Sequence, residues 1–133
     1  MALSYPLAES GSASVRTAGG RLVSDVTLEA VIAGEITPGD IRVAPETLLL
    51  QAGFAEQGGN PQLAENLRRG AELTAFADEE LLAFYEALRP GRSSLAELDA
   101  LADALAARGA ERCAALVREA RGAYARRGLA RDP

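Results

Sequence analysis

Residues 94–128 read SLAELDALADALAARGAERCAALVREARGAYARRG, and this stretch decides the fold. Ser94 followed three residues later by Glu97 has the spacing of a capping box, with Ser93 as an alternative cap one residue earlier. Leu98, Leu101, Ala102 and Leu105 then recur every three or four residues up to Gly109. Beyond it, Cys113, Leu116, Val117, Ala120 and Tyr124 form a second stripe at helical spacing, which ends at Gly128. Two long helices with only a short connection at Gly109 are expected to pair as an antiparallel hairpin.

The same period continues upstream. Asp78, Glu79 and Glu80 crowd the first turn of a helix whose apolar face is Leu81, Phe84, Tyr85 and Leu88, ended by Pro90-Gly91. Asn60-Pro61 opens a helix carrying Leu63, Leu67 and Leu73, and Pro45 opens one carrying Leu48, Leu49, Leu50, Ala52 and Ala55, stopped by Gly58-Gly59. Thr37-Pro38 starts a single turn through Ile41, and Thr27–Ala33 reads as a short helix with Leu28, Val31 and Ile32 on one face. No segment alternates as a strand would. The expected fold is all-α: a compact bundle of about five helices spanning 25–133, preceded by a flexible N-terminal arm over 1–24. That arm is rich in Gly, Ser and Ala, and its one apolar knot is Tyr5-Pro6-Leu7-Ala8.

Composition narrows the chemistry. The chain has 133 residues, a length suited to one domain, and no histidine, which removes imidazole acid–base chemistry and histidine metal ligation. All 14 basic residues are arginine, so Schiff-base and ε-amine chemistry is absent too. A net charge of −5 opposes general nucleic-acid binding. The charge is uneven: residues 1–107 hold 7 Arg against 16 acids, a net of −9, and residues 108–133 hold 7 Arg against 3 acids, a net of +4. That asymmetry suits either docking onto a partner of mixed charge or a solvated basic helix. A single cysteine, Cys113, gives no internal disulfide, and neither a signal peptide nor a membrane-spanning run is read, so the expected location is the cytoplasm.

No constellation for catalysis, cofactor or metal emerges. Neighbouring Asp78, Glu79 and Glu80 point in different directions on a helix and serve its N-terminus. Glu65 and Glu72 lie seven apart, with Arg68 and Arg69 in reach of Glu72; a solvated face or a partner salt bridge accounts for them. Cys113 sits on an apolar stripe and reads as an inert buried thiol. Arg89 and Arg92 flank the exposed Pro90-Gly91 turn, where they serve the helix C-terminus or bind an anion or partner carboxylate. The candidate partner-binding residues are therefore Tyr5, Pro6, Leu7, Arg89 and Arg92.

Several phrases are more particular than generic helix: Tyr5-Pro6-Leu7-Ala8, Asp25-Val26-Thr27-Leu28-Glu29, Pro45-Glu46-Thr47-Leu48, Gln51-Ala52, Ala71-Glu72-Leu73-Thr74, Ala87-Leu88-Arg89-Pro90 closing in Arg92-Ser93, and the run from Cys113 to Ala120. In this order and spacing they resemble the small (gamma) subunit of adenosylcobalamin-dependent diol and glycerol dehydratases, over about residues 5–130. Residues 9–21 match that pattern poorly.

The resemblance implies a heterohexamer with two copies each of large, medium and small subunits. In it a large TIM-barrel subunit performs radical dehydration of propane-1,2-diol or glycerol to an aldehyde, with adenosylcobalamin held between the large and medium subunits. The small subunit packs chiefly on the large one and supplies no catalytic residue. The chain begins almost at the Tyr5 phrase, so the long N-terminal extension linked to bacterial microcompartments is not expected. The contrasting reading is a freestanding helical interaction or adaptor module without enzyme activity.

Overall fold

The computed structural model describes residues 2–133; Met1, the first residue of the expected arm, lies outside them. The chain is all-α. Its helices are α1 (Leu7–Ser10), α2 (Leu28–Ile32), α3 (Pro45–Gln57), α4 (Pro61–Leu73), α5 (Asp78–Ala87), α6 (Leu95–Ala107) and α7 (Glu111–Arg127), with single 3₁₀ turns at Val23–Asp25 and Pro38–Ile41. Among the described residues there is no strand, only an isolated bridge between Arg16 and Leu22. The five long helices lie where the apolar period places them. Helix α1 and the first 3₁₀ turn fall in a stretch too poor in apolar residues to announce them.

The residues cluster into two compact units, Met1–Ala71 and Glu72–Pro133. In the second unit the capping box at Ser94 is complete: the Glu97 N–H donates to Ser94 Oγ at 3.2 Å and the Ser94 N–H to Glu97 Oε2 at 2.8 Å. Helices α6 and α7 form the expected antiparallel hairpin, laced by Arg118–Asp103 at 3.2 Å and Arg121–Asp99 at 3.1 Å. Gly109 makes the reversal with φ +81°, a conformation that side chains with a Cβ resist, and the Ala110 N–H donates to Leu105 O at 3.0 Å.

The core of this unit comprises Phe76, Ala102, Leu105, Ala110, Cys113, Ala114 and Val117, with Leu73, Leu81, Phe84, Leu88 and Leu101 packed against it. Two expectations need correction. Leu116 is exposed, because the buried face of α7 centres on Cys113, Ala114 and Val117, where small residues allow close approach. Tyr85 is also exposed, since the inward face of α5 runs through Leu81, Phe84 and Leu88.

The first unit is built differently. Thr27 caps α2 by accepting the Ala30 N–H at 3.2 Å, and Pro45 occupies the first turn of α3, where its missing N–H is harmless. Its buried apolar side chains are all alanines: Ala30, Ala44, Ala52, Ala64 and Ala71. Nine of the twelve large apolar side chains that stand exposed among the described residues belong to this unit, a distribution opposite to that of a self-sufficient core.

Candidate functional site

The candidate partner-binding residues fall into two groups, one in each unit. Tyr5 leads into α1 through a cis peptide bond to Pro6. Its ring meets Phe54 edge-on at 6.4 Å between centroids, yet 78% of the residue remains open to solvent. Pro6 is exposed and Leu7 half-buried; the Pro6 carbonyl accepts from Glu9 and Ser10, and the Leu7 carbonyl from Gly11. The knot is thus held by its own backbone and presents an aromatic side chain outward.

Behind it, residues 15–40 are organised by a carboxylate that composition did not single out. Asp40 accepts from the Thr37 N–H at 3.0 Å, from Thr37 Oγ1 at 3.1 Å and from Thr17 Oγ1 at 3.2 Å. The Thr37 N–H chiefly, helped by both hydroxyls and by nearby Arg21, holds Asp40 below its usual carboxylate range against the opposing effect of burial. Arg21 donates to the Glu35 carbonyl at 2.9 Å. The signal was present in the sequence as Thr37-Pro38-Gly39-Asp40, a capping pattern whose fourth residue also reaches backward along the chain.

Arg89 and Arg92 share one acid. Arg89 Nη1 and Arg92 Nε each lie 3.1 Å from the Glu86 carboxylate, so the turn carries two guanidinium groups around a single negative charge. The C-terminal segment folds onto the same turn. The Gly91 N–H donates to Leu129 O at 2.7 Å, the Arg131 N–H to Ser93 O at 2.8 Å, and Tyr124 donates its hydroxyl hydrogen to the Leu88 carbonyl. Arg131 grips Glu97 with Nη2 at 2.7 and 2.8 Å from its two oxygens. Glu97 is held below the ordinary carboxylate range, first by the Ser94 N–H and then by Arg131.

The basic C-terminal stretch is therefore largely spoken for. Arg108, Arg118, Arg121 and Arg131 pair with Glu80, Asp103, Asp99 and Glu97, all within the second unit. Arg108 also lies 4.0 Å over the Phe76 ring. The acidic triplet works as a helix start: Glu80 accepts the Ala77 N–H at 2.8 Å, which with Arg108 lowers its pKa from the usual value. Arg68 does not turn to Glu72. Arg68 reaches Glu56 at 2.6 Å, and the Glu72 carboxylate caps α7 by accepting the N–H groups of Arg112 at 3.0 Å and Cys113 at 2.9 Å.

Each acid with a sharply defined partner serves a helix start or an ion pair. The family described as "Dehydratase small subunit" matches residues 1–131. The propanediol dehydratase small subunit of Salmonella typhimurium is 48% identical over 124 residues, covering 92% of this chain and 72% of that protein; the subunit of the same name from Citrobacter freundii matches equally. The chain belongs to the dehydratase small-subunit family.

A dehydratase small subunit is one chain of a multi-subunit enzyme. The sequence holds no imidazole, and its one thiol, Cys113, is buried in the core of the second unit. Among the described residues no helix is long and apolar enough to cross a membrane.

Proposed function

We propose that this chain is the non-catalytic small subunit of an adenosylcobalamin-dependent diol dehydratase. The assembly is a heterohexamer with large and medium subunits, working in the bacterial cytoplasm. The large subunit performs the radical dehydration of a 1,2-diol or glycerol to an aldehyde, and the cofactor lies between the large and medium subunits. This chain packs on the large subunit, with Tyr5, Pro6 and Leu7 as one anchor and the Arg89–Arg92 turn as another.

The observation that carries the reading is the match to the family over residues 1–131, in a chain where Glu72, Glu80 and Glu97 are committed to caps and ion pairs. An exposed tyrosine with few rotatable bonds suits an interface anchor. Reconstitution tests it. The purified chain alone should neither bind adenosylcobalamin nor turn over propane-1,2-diol, and its addition to large and medium subunits should restore activity. Turnover by the isolated chain, or full activity without it, would overturn the proposal.

A further inference from the structure

Helix α2 has little support from the rest of the chain. From Ser24 to Glu35 every residue except Ala30 is exposed, and a five-residue helix is far below the length that persists unaided in water. Leu28, Val31 and Ile32 stand at i, i+3 and i+4 and so share one face, and they are 69%, 54% and 78% exposed. Three adjacent aliphatic side chains turned to solvent, in a unit that buries only alanines, leave an apolar face without an occupant in the chain itself.

The charges around that face say what covers it. Asp25, Glu29 and Glu35 line an open groove on the flank of α2 together with a single cation, Arg21. Arg21 is already engaged: its guanidinium donates to the Glu35 carbonyl and lies 3.8 Å from Asp40. The groove keeps an excess of negative charge. A second copy of this chain seated on α2 would bring like charges together, which opposes self-association. A surface with an apolar centre and an arginine or lysine at its edge fits instead, the aliphatic face filling the dry middle and the basic group entering the groove.

We propose that α2 and its acidic flank are a docking site for the large subunit of the dehydratase, an inference that rests on the subunit role proposed above. Ile32 and Leu28 are the buried anchors, and Glu29 is the rim charge that fixes register. Three side chains are too few to make a whole stable interface of standard size, so α2 is one anchor cluster within a larger contact.

The test is co-expression of the full chain with the large and medium subunits, followed by co-purification. Ile32→Asp and Glu29→Arg should each lower recovery of the large subunit at least ten-fold. Leu82→Asp, an equally exposed site on α5, should assemble like the wild type. Circular dichroism of the free variants should match the wild type, separating lost docking from lost folding. Normal assembly of both α2 variants would overturn the inference, as would an equal loss with Leu82→Asp. A free chain that dimerises through α2, becoming monomeric in Ile32→Asp, would also overturn it. Failure of the wild-type chain to assemble would instead defeat the subunit role itself.

Discussion

The Glu72 carboxylate accepts the backbone N–H of Cys113 at 2.9 Å, from 41 positions earlier in the chain. Its other oxygen takes the Arg112 N–H at 3.0 Å, so one side chain satisfies two of the donors that the start of α7 leaves open. The residue before the helix is Ala110, whose methyl group cannot accept a hydrogen bond, so local capping is replaced by a distant acid. Glu72→Ala should cost about 1–2 kcal/mol, as loss of a helix cap does. Glu72→Gln, which keeps one acceptor, should cost less. Urea unfolding checks both, and an unchanged midpoint in Glu72→Ala would show that water replaces the cap.

The same contact places Cys113 inside the core, 6% exposed beside Ala102 and Leu105. A thiol reagent should label the native chain slowly and the urea-unfolded chain at once. Glu72→Ala should accelerate native labelling, because the first turn of α7 frays when its cap is lost. Fast labelling of the native wild type would contradict the burial.

These two residues also show what was legible in the sequence. Cys113 lies on an i, i+3, i+4 stripe whose period marks it as buried, although Leu116 on the same stripe is exposed. The Glu72 cap joins residues far apart in the chain, and nothing in local spacing marks it against the nearer partners Arg68 and Arg69. The Ser94–Glu97 box was readable because both halves lie within one turn; Arg131, which completes it, lies 34 positions away. Phe76 carries no periodic signal for another reason: it sits between helices, outside either stripe, yet packs edge-on against Phe84 at 5.2 Å between ring centroids. Of the partner-binding candidates, Tyr5 stood out as an aromatic in a polar stretch, whereas the exposed face of α2 looks, from sequence, like any buried helix face.

Stability should fall in acid. Asp40, Glu80 and Glu97 all have folded-state pKa values below their ordinary ones of 3.8, 4.5 and 4.5, each chiefly through a backbone N–H. A carboxylate lowered by folding stabilises the folded state above its unfolded pKa, and that contribution disappears as pH falls through the folded value. The melting temperature should therefore be flat between about pH 7 and 5 and decline below about pH 4.5. Glu97→Gln should start lower at neutral pH, having lost the charged partner of Arg131, and decline less steeply in acid. A parallel decline in variant and wild type would remove Glu97 from the explanation.

Gly19 is the position in the first unit where a single methyl group should do the most damage. A Cβ there would stand 2.6 Å from Asp40 Oδ1, well inside contact distance. The carboxylate has little freedom to retreat, since Thr37 and Thr17 hold both its oxygens and its side chain is only 8% exposed. Gly19→Ala must either push Asp40 off the Thr37 N–H or shift the turn at 17–21, and overpacking of this kind costs about 1–3 kcal/mol. Gly39→Ala provides the contrast: its nearest neighbour would be Thr37 Oγ1 at 3.5 Å, an ordinary contact, so it should be tolerated. Amide hydrogen exchange separates the two, with faster exchange at Thr37 and Arg21 in Gly19→Ala and wild-type rates in Gly39→Ala. Equal protection in both variants would mean that Asp40 does not tie the N-terminal segment to the turn at Pro38–Ile41.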